Sequence, residues 1–341
     1  MARPLNEQVV VITGASSGIG RETAMRFAQR GATVVLAARN QLALEQVRDD
    51  IRSMGGEVHI VVTDVADADQ MEALAAEAYN FYGRIDTWIN DASVALYGTV
   101  AQTSVEEIEQ VIRVNLMGVI HGVKAVLPYM QRQGYGTIIN VGSVISWVAM
   151  PLQAAYSAAK QGVKGFTDAL RLELQRDQSN INVTLVMPAG INTPFFNHAR
   201  SKLGVKPMPM PPVYRPEMVA DAILTAAEKY RRDVYAGGAS WLFVMMERLS
   251  PALMDRILLM GDMGFRLQKT GEIDDGRDNL YEPNTETGRI HGDFDHLAKP
   301  SLFTRFMEII PSLPVVLVSM AAGVVTLSRL RRPPARRRIF G

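Results

Sequence analysis

Residues 9–20 read Val9-Val10-Val11-Ile12-Thr13-Gly14-Ala15-Ser16-Ser17-Gly18-Ile19-Gly20, a β-branched apolar run that passes directly into a glycine-rich turn. The run predicts a buried strand, and the pattern that follows, ending near Arg30-Gly31, predicts a helix. A strand leading through glycines into a helix is a phosphate-binding device. The first N–H groups of the helix have no intrahelical partner, and its N-terminus carries partial positive charge. Glycine lets the backbone approach an anion with no Cβ in the way. Here the glycines stand at 14, 18 and 20 rather than in the G-x-G-x-x-G spacing, and taken alone they are also compatible with a tight turn that holds no ligand.

Outward from this stretch the same alternation repeats. Apolar runs at Thr33–Ala37, His59–Val62, Thr87–Asn90, Thr137–Val141, Asn182–Met187 and Asp233–Ala236 predict strands. Helical patterns at 41–54, 68–82, 104–131, 153–176 and 216–230 separate them. Strands alternating with helices over short connections predict an α/β fold, a doubly wound, Rossmann-like parallel sheet with right-handed crossovers. The Pro- and Met-rich stretch 193–215 reads as a long loop beside a site rather than a sheet element. The Met-rich stretch 241–268 reads as one or two amphipathic helices broken at Ser250-Pro251. Four regions are expected. These are a dinucleotide-binding and catalytic domain over 1–238, a helical C-terminal extension over 239–270, an acidic polar linker over 271–300, and an apolar segment with an Arg-rich tail over 301–341.

Composition excludes several functions. The 341 residues contain no cysteine, which removes disulfides, Cys-ligated metal clusters and thiol nucleophiles. The five histidines show no metal-ligand spacing, so no metal is expected. Residues 1–271 carry 26 basic and 26 acidic side chains, a balance that gives no reason to expect nucleic acid as a partner. The asymmetry lies beyond: 272–296 hold two basic and eight acidic residues, and 297–341 hold eight basic and one acidic. No apolar stretch of 7–15 residues follows a basic N-terminus, so no secretory signal is expected.

Two further patterns carry chemistry. The second strand ends in Ala37-Ala38-Arg39-Asn40, with no carboxylate for the ribose 2′-hydroxyl of NAD and with a guanidinium able to pair with a 2′-phosphate. NADP(H) is therefore preferred over NAD(H); the bland alternative makes Arg39 a solvated loop cation. Tyr156-Ser157-Ala158-Ala159-Lys160 sets a phenol and an amine at i and i+4, on one helix face. A nearby ammonium is expected to lower the phenol's pKa toward working pH, as proton exchange with a carbonyl or alcohol oxygen requires. The pair opens a helix after a strand ending in Asn140-Val141-Gly142-Ser143.

With these motifs in this order, over about residues 6–238, the chain resembles the short-chain dehydrogenase/reductase family. The motifs are Thr13, Gly14, Gly18 and Gly20; Asp64 followed by Val65; Asn115 within Val114-Asn115-Leu116; Ser143; Tyr156 with Lys160; and Thr193 in Pro188-Ala189-Gly190-Ile191-Asn192-Thr193. The resemblance implies four catalytic residues. Tyr156 is the general acid/base, and Lys160 holds the nicotinamide ribose and tunes Tyr156. Ser143 bonds the substrate oxygen, and Asn115 holds a relay water. It also implies cofactor contacts from Gly14, Ser16, Ser17, Gly18, Ile19, Gly20, Arg39, Asp64, Val65, Asn90, Tyr156, Lys160 and Thr193, and a homo-oligomer paired through 104–131 and 153–176. Two departures stand out: the family's N-N-A-G reads Asn90-Asp91-Ala92-Ser93, and its P-G reads Pro188-Ala189-Gly190. The implied activity is oxidoreduction of a small-molecule alcohol or carbonyl substrate; the Met-rich stretches point to an apolar one, and 241–268 reads equally as a dimer or membrane-facing surface. The rival expectation is a nucleotide-binding scaffold or redox sensor with little turnover.

Residues 309–328 contain no charge, and twenty residues at about 1.5 Å each span ~30 Å, the thickness of a bilayer core. Arg329, Arg331, Arg332, Arg336, Arg337 and Arg338 follow. Together 309–338 predict membrane lipid as a partner of a cytoplasmic, membrane-associated enzyme, with shallow or re-entrant insertion and arginines on anionic headgroups, a tail-anchored span against the charge rule staying open. A buried core helix with a solvated tail is the alternative.

Overall fold

The structure is a computed structural model, and it describes residues 3–283, 288–301, 303 and 304. The expected segment 309–338 lies outside these residues.

The N-terminal half is built from β1 (Val9–Thr13), α1 (Gly18–Gln29), β2 (Thr33–Ala38), α2 (Gln41–Ser53), β3 (Val58–Val62), α3 (Ala68–Tyr82), β4 (Thr87–Asn90) and β5 (Leu96–Tyr97). The middle holds α4 (Val105–Ile112), a π turn over Arg113–Met117, α5 (Gly118–Gln133), β6 (Gly136–Val141), α6 (Ala154–Arg176) and β7 (Ile181–Pro188). Four short strands follow: β8 (Gly190–Ile191), β9 (Arg200–Ser201), β10 (Val205–Pro207) and β11 (Val213–Tyr214). Next come α7 (Pro216–Glu228), β12 (Asp233–Ala236), α8 (Gly238–Leu249), α9 (Pro251–Leu259) and α10 (Met263–Arg266). The last elements are β13 (Lys269–Ile273) and β14 (Ala298–Lys299).

Seven strands form the parallel central sheet in the order β12-β7-β6-β4-β1-β2-β3. All five residues of β1 and all four of β4 are buried, as strands covered by helices on both faces require. Helix starts follow local chemistry. Asn40 accepts from the Ala43 N–H, Asp67 accepts from Asp69 and Gln70, and Ser104 with Glu107 forms a capping box. The strand order reverses between β1 and β4, and a doubly wound sheet opens its ligand crevice at that point. One helical stretch among the described residues, Val105–Gln133, is long and apolar enough to cross a membrane, but its Val111, Val114, Val119, Val123, Val126 and Met130 are buried in the core.

Two expectations are corrected. The stretch 193–215 is not a plain loop: β9 pairs with β5, β10 with β13, and β11 lies between β8 and β14. The acidic stretch 271–300 is not a free linker. Through β13, β14 and a set of backbone hydrogen bonds its described residues are built into the compact unit that runs to Thr304. The extension does break at Ser250, whose hydroxyl caps α9 through the Leu253 N–H.

Candidate active site

A hydrogen-bond chain fixes the helix that carries the paired phenol and amine. Trp88 Nε1 donates to Asn90 Oδ1, Asn90 Nδ2 to Asn140 Oδ1, and Asn140 Nδ2 to Thr167 Oγ1, at 2.8, 2.9 and 2.9 Å. This ladder ties β4 and β6 to α6. Each buried amide is satisfied, so the chain rigidifies the core rather than straining it. A Cβ on Gly122 of α5 would overlap Asn90 Oδ1, which explains glycine there. Asn90 is accordingly a correction: its side chain belongs to this ladder and does not line the crevice.

The crevice, about 260 Å³, runs along the C-terminal ends of the strands. Its nucleotide end is lined by Gly14, Ser16, Ser17, Gly18, Ile19, Arg39, Asp64, Val65 and Thr193. Its other end is lined by Ser143, Tyr156 and Lys160 together with apolar side chains from distant loops, Met150, Phe195, Phe196 and Met210, and Phe243 from α8. The predicted cofactor and catalytic residues thus largely share one cavity. Gly20 does not line it; a Cβ there would overlap the Gly14 carbonyl oxygen, so Gly20 lets α1 close on the β1 turn.

The residues fit a dinucleotide. Gly14 adopts φ +74°, and a Cβ there would lie 2.7 Å from the Ala92 nitrogen. Ser17, the N-cap of α1, makes no side-chain cap, which leaves the helix terminus to other acceptors. One such acceptor is already present: the Gly18 N–H donates to the Arg289 carbonyl at 2.9 Å.

At the reacting end, Lys160 is buried, donates from Nζ to the Val141 carbonyl at 2.9 Å, and lies 5.5 Å from the Tyr156 ring centroid. The phenol departs from the expected behaviour. Burial holds the Tyr156 pKa above its ordinary value; hydrogen bonding with the Ser93 and Ser143 hydroxyls pulls it down, and the Asp91 charge pushes it up again. Burial also lowers Lys160 to about 8, against the attraction of Asp91. Desolvation of the phenol itself, and not the ammonium one turn away, therefore sets the direction. Asn115, in the π turn, is wholly buried, and its side chain is spent on the Val94 N–H, the Val94 carbonyl and the Ser93 hydroxyl. Its side chain positions the 93–94 loop beside Tyr156, and Asn115 is not among the residues that line the crevice.

Asp91 and Ser93 are thus members of the site, signalled in sequence only as departures from N-N-A-G. Burial raises Asp91 from 3.8 to about 7, opposed by Lys160 and by the Gly20 N–H. A carboxyl whose pKa is raised by folding contributes stability below its unfolded value, and that stability is lost as pH rises through about 7. Asp91→Asn is therefore expected to leave the melting temperature unchanged at pH 4 and raise it at pH 8. The interval from 3.8 to about 7 sets a ceiling of ~4 kcal/mol on the gain, reduced because Lys160 loses its counter-charge. Equal changes at both pH values would contradict a charged, desolvated Asp91.

The comparisons agree with this geometry. A family model described as short chain dehydrogenase matches residues 8–204. An uncharacterized oxidoreductase of Bacillus subtilis, YxnA, is 38% identical over 258 residues, 75% of this chain and 72% of that protein. Dehydrogenase/reductase SDR family member 7B of Bos taurus is 34% identical over 73% of this chain and 80% of its own length. A Burkholderia phymatum short chain dehydrogenase/reductase solved with NAD superposes with TM-score 0.66 at 27% identity, covering 74% of this chain and 96% of that one. An alcohol dehydrogenase from Thermococcus sibiricus solved with 5-hydroxy-NADP gives TM-score 0.59 at 25% identity, covering 67% and 94%. Fold, site and sequence all lead to one assignment: this chain belongs to the short-chain dehydrogenase/reductase family of oxidoreductases.

Proposed function

We propose that the protein is an NADP(H)-dependent oxidoreductase that interconverts an apolar alcohol and its ketone or aldehyde. The observation that carries this reading is the one crevice joining the N-terminus of α1, where Ser17 makes no side-chain cap, to Ser143, Tyr156 and Lys160 under an apolar wall. When bound, the reduced dinucleotide supplies hydride. The chain's residues manage the proton. Buried Tyr156 is a neutral phenol at physiological pH and donates its proton to the substrate oxygen as charge develops there. Ser143 holds the same oxygen. Lys160, with its pKa near 8, exchanges protons close to neutrality and supports reprotonation of Tyr156. Phe195 packs on the Tyr156 ring at 5.6 Å, and with Met210 and Phe243 it favours a substrate with an apolar body.

Support for NADP(H) comes from the end of β2. Ala38 and Arg39 line the crevice with no carboxylate beside them on that strand end. Ala38→Asp is expected to shift the NADPH/NADH ratio of kcat/KM toward NADH by about tenfold or more, since a carboxylate repels a 2′-phosphate and accepts from a 2′-hydroxyl. An unchanged ratio would refute the preference.

We also propose that the chain associates with membranes through residues 309–338, on the strength of their uncharged run and arginine cluster. Thr304 Oγ1 accepts from the Gly237 N–H at 2.9 Å, so truncation is best placed after it. Removing 305–341 is expected to move the protein from the vesicle-bound to the free fraction in flotation. Unaltered partitioning would defeat the proposal.

A further inference from the structure

Two described stretches of the acidic segment, Asp278–Pro283 and Gly288–Asp295, lie along the nucleotide end of the crevice. Asn279, Pro283 and Gly288 line the same cavity as Ser16, Arg39 and Asp64. The first stretch meets Arg39. The guanidinium donates to the Tyr281 carbonyl from one terminal nitrogen and to the Asn279 carbonyl from the other, both at 2.6 Å. Those carbonyls are themselves held in place. Asp278 pairs with Arg200 at 2.8 Å and accepts from the Leu280 N–H at 2.9 Å. Gln110 of α4 donates to the Leu280 carbonyl at 3.1 Å, and the Leu280 side chain is fully buried.

The second stretch meets the glycine-rich turn. Gly288 passes so close that a Cβ would overlap the Ser16 carbonyl oxygen, and its own carbonyl accepts from Arg21. Arg289 takes the Gly18 N–H. Gly292 would bring a Cβ to 2.6 Å from the Thr193 carbonyl. Asn192 closes the far end, accepting from the Phe294 N–H at 3.0 Å and donating to Asp295 at 2.7 Å.

We propose that these two stretches form a built-in outer wall of the dinucleotide site, and that the carbonyls of Asn279 and Tyr281 aim Arg39 at the 2′-phosphate of NADP(H). The proposal rests on the NADP(H) reading above. A guanidinium carries five N–H donors in one plane. Two carbonyl acceptors spend two of them and fix that plane, leaving three for a phosphate. A fork fixed on folding loses little further freedom on binding, and a planar fork suits bidentate phosphate contact. Arg39 is a positioned group and Asn279 and Tyr281 are positioning residues. The wall does not plug the site, because the cavity still opens onto Arg39, Asp64 and Val65 with both stretches in place.

The test measures NADPH and NADH dissociation constants by fluorescence titration on the full chain, for wild type, Asp278→Ala and Gly288→Val. Asp278→Ala cuts the tie to Arg200 and the turn before Leu280 while leaving the glycine-rich turn untouched. Gly288→Val forces the second stretch off Ser16. Each variant is expected to weaken NADPH by about tenfold or more and NADH by less than about threefold, so the preference falls. A wild type that prefers NADPH alongside variants that keep the same preference, whether both affinities fall together or stay put, overturns the wall's role in aiming Arg39. Tighter NADPH binding in the variants overturns it too, by making the segment a blocker. A wild type with no preference for NADPH defeats the NADP(H) reading itself. Should Gly288→Val not fold, Asp278→Ala decides alone.

Discussion

Tyr156→Phe is expected to lower kcat by about 10³-fold while leaving the NADPH dissociation constant within about threefold of wild type. The ring sits in a packed place, 8% exposed and tilted against Phe195 at 5.6 Å, so phenylalanine fills the same volume. Only the hydroxyl goes. Ser143 keeps its bond from the Ile145 N–H and Ser93 keeps its bond to Asn115, so the fold loses about 1 kcal/mol or less. What disappears is the proton donor. Lys160 does not replace it, because its ammonium is directed to the Val141 carbonyl. Steady-state rates and a fluorescence titration separate the two effects. A variant within about tenfold of wild-type turnover would remove Tyr156 from the mechanism.

Gly20→Ala is expected to destabilise the protein by about 2–4 kcal/mol and to abolish measurable dinucleotide binding. Helix propensity argues the other way, by up to ~1 kcal/mol in favour of alanine inside a helix. Overlap wins here because the obstacles are near: a Cβ meets the Gly14 carbonyl oxygen, which is backbone, and lies 2.9 Å from Asp91 Oδ2. Relief requires α1 to move away from β1, and α1 presents the N–H groups that a diphosphate needs. Thermal unfolding and titration with NADPH report the two consequences. A more stable variant that still binds would show that α1 is not seated by this contact.

The β-branched runs were legible because a parallel sheet covered on both faces leaves its strands no polar side; β1, β4 and β6 are buried throughout. Tyr156, Lys160 and Ser143 were legible from spacing and position. Their electrostatics were not. A cation at i+4 implies a more acidic phenol only while the phenol stays hydrated, and burial of the Tyr156 ring removes that condition. The wall at 278–283 and 288–295 was illegible for a different reason. Its acidic, polar composition reads as solvated, whereas its placement comes from hydrogen bonds that its backbone carbonyls accept from Gln110, Gly18 and Arg21, on helices some 170 to 270 residues away in the chain. Gly288 and Gly292, which meet the backbone of Ser16 and Thr193, were its only sequence trace. The apolar end suffers the same limit, since Met150, Phe195, Met210 and Phe243 come from separate loops and helices.

In the proposed mechanism hydride and proton are exchanged in this one crevice, with Tyr156 handling the proton. The most direct test supplies NADPH deuterated at the transferring carbon to the wild-type chain with a panel of apolar ketones and aldehydes, and follows the label by mass spectrometry. One deuterium is expected on the carbinol carbon of the product for at least one substrate, and none above background with Tyr156→Phe. A wild-type chain that binds NADPH and never transfers the label, whichever carbonyl is offered, would contradict it and leave a nucleotide-binding scaffold in its place.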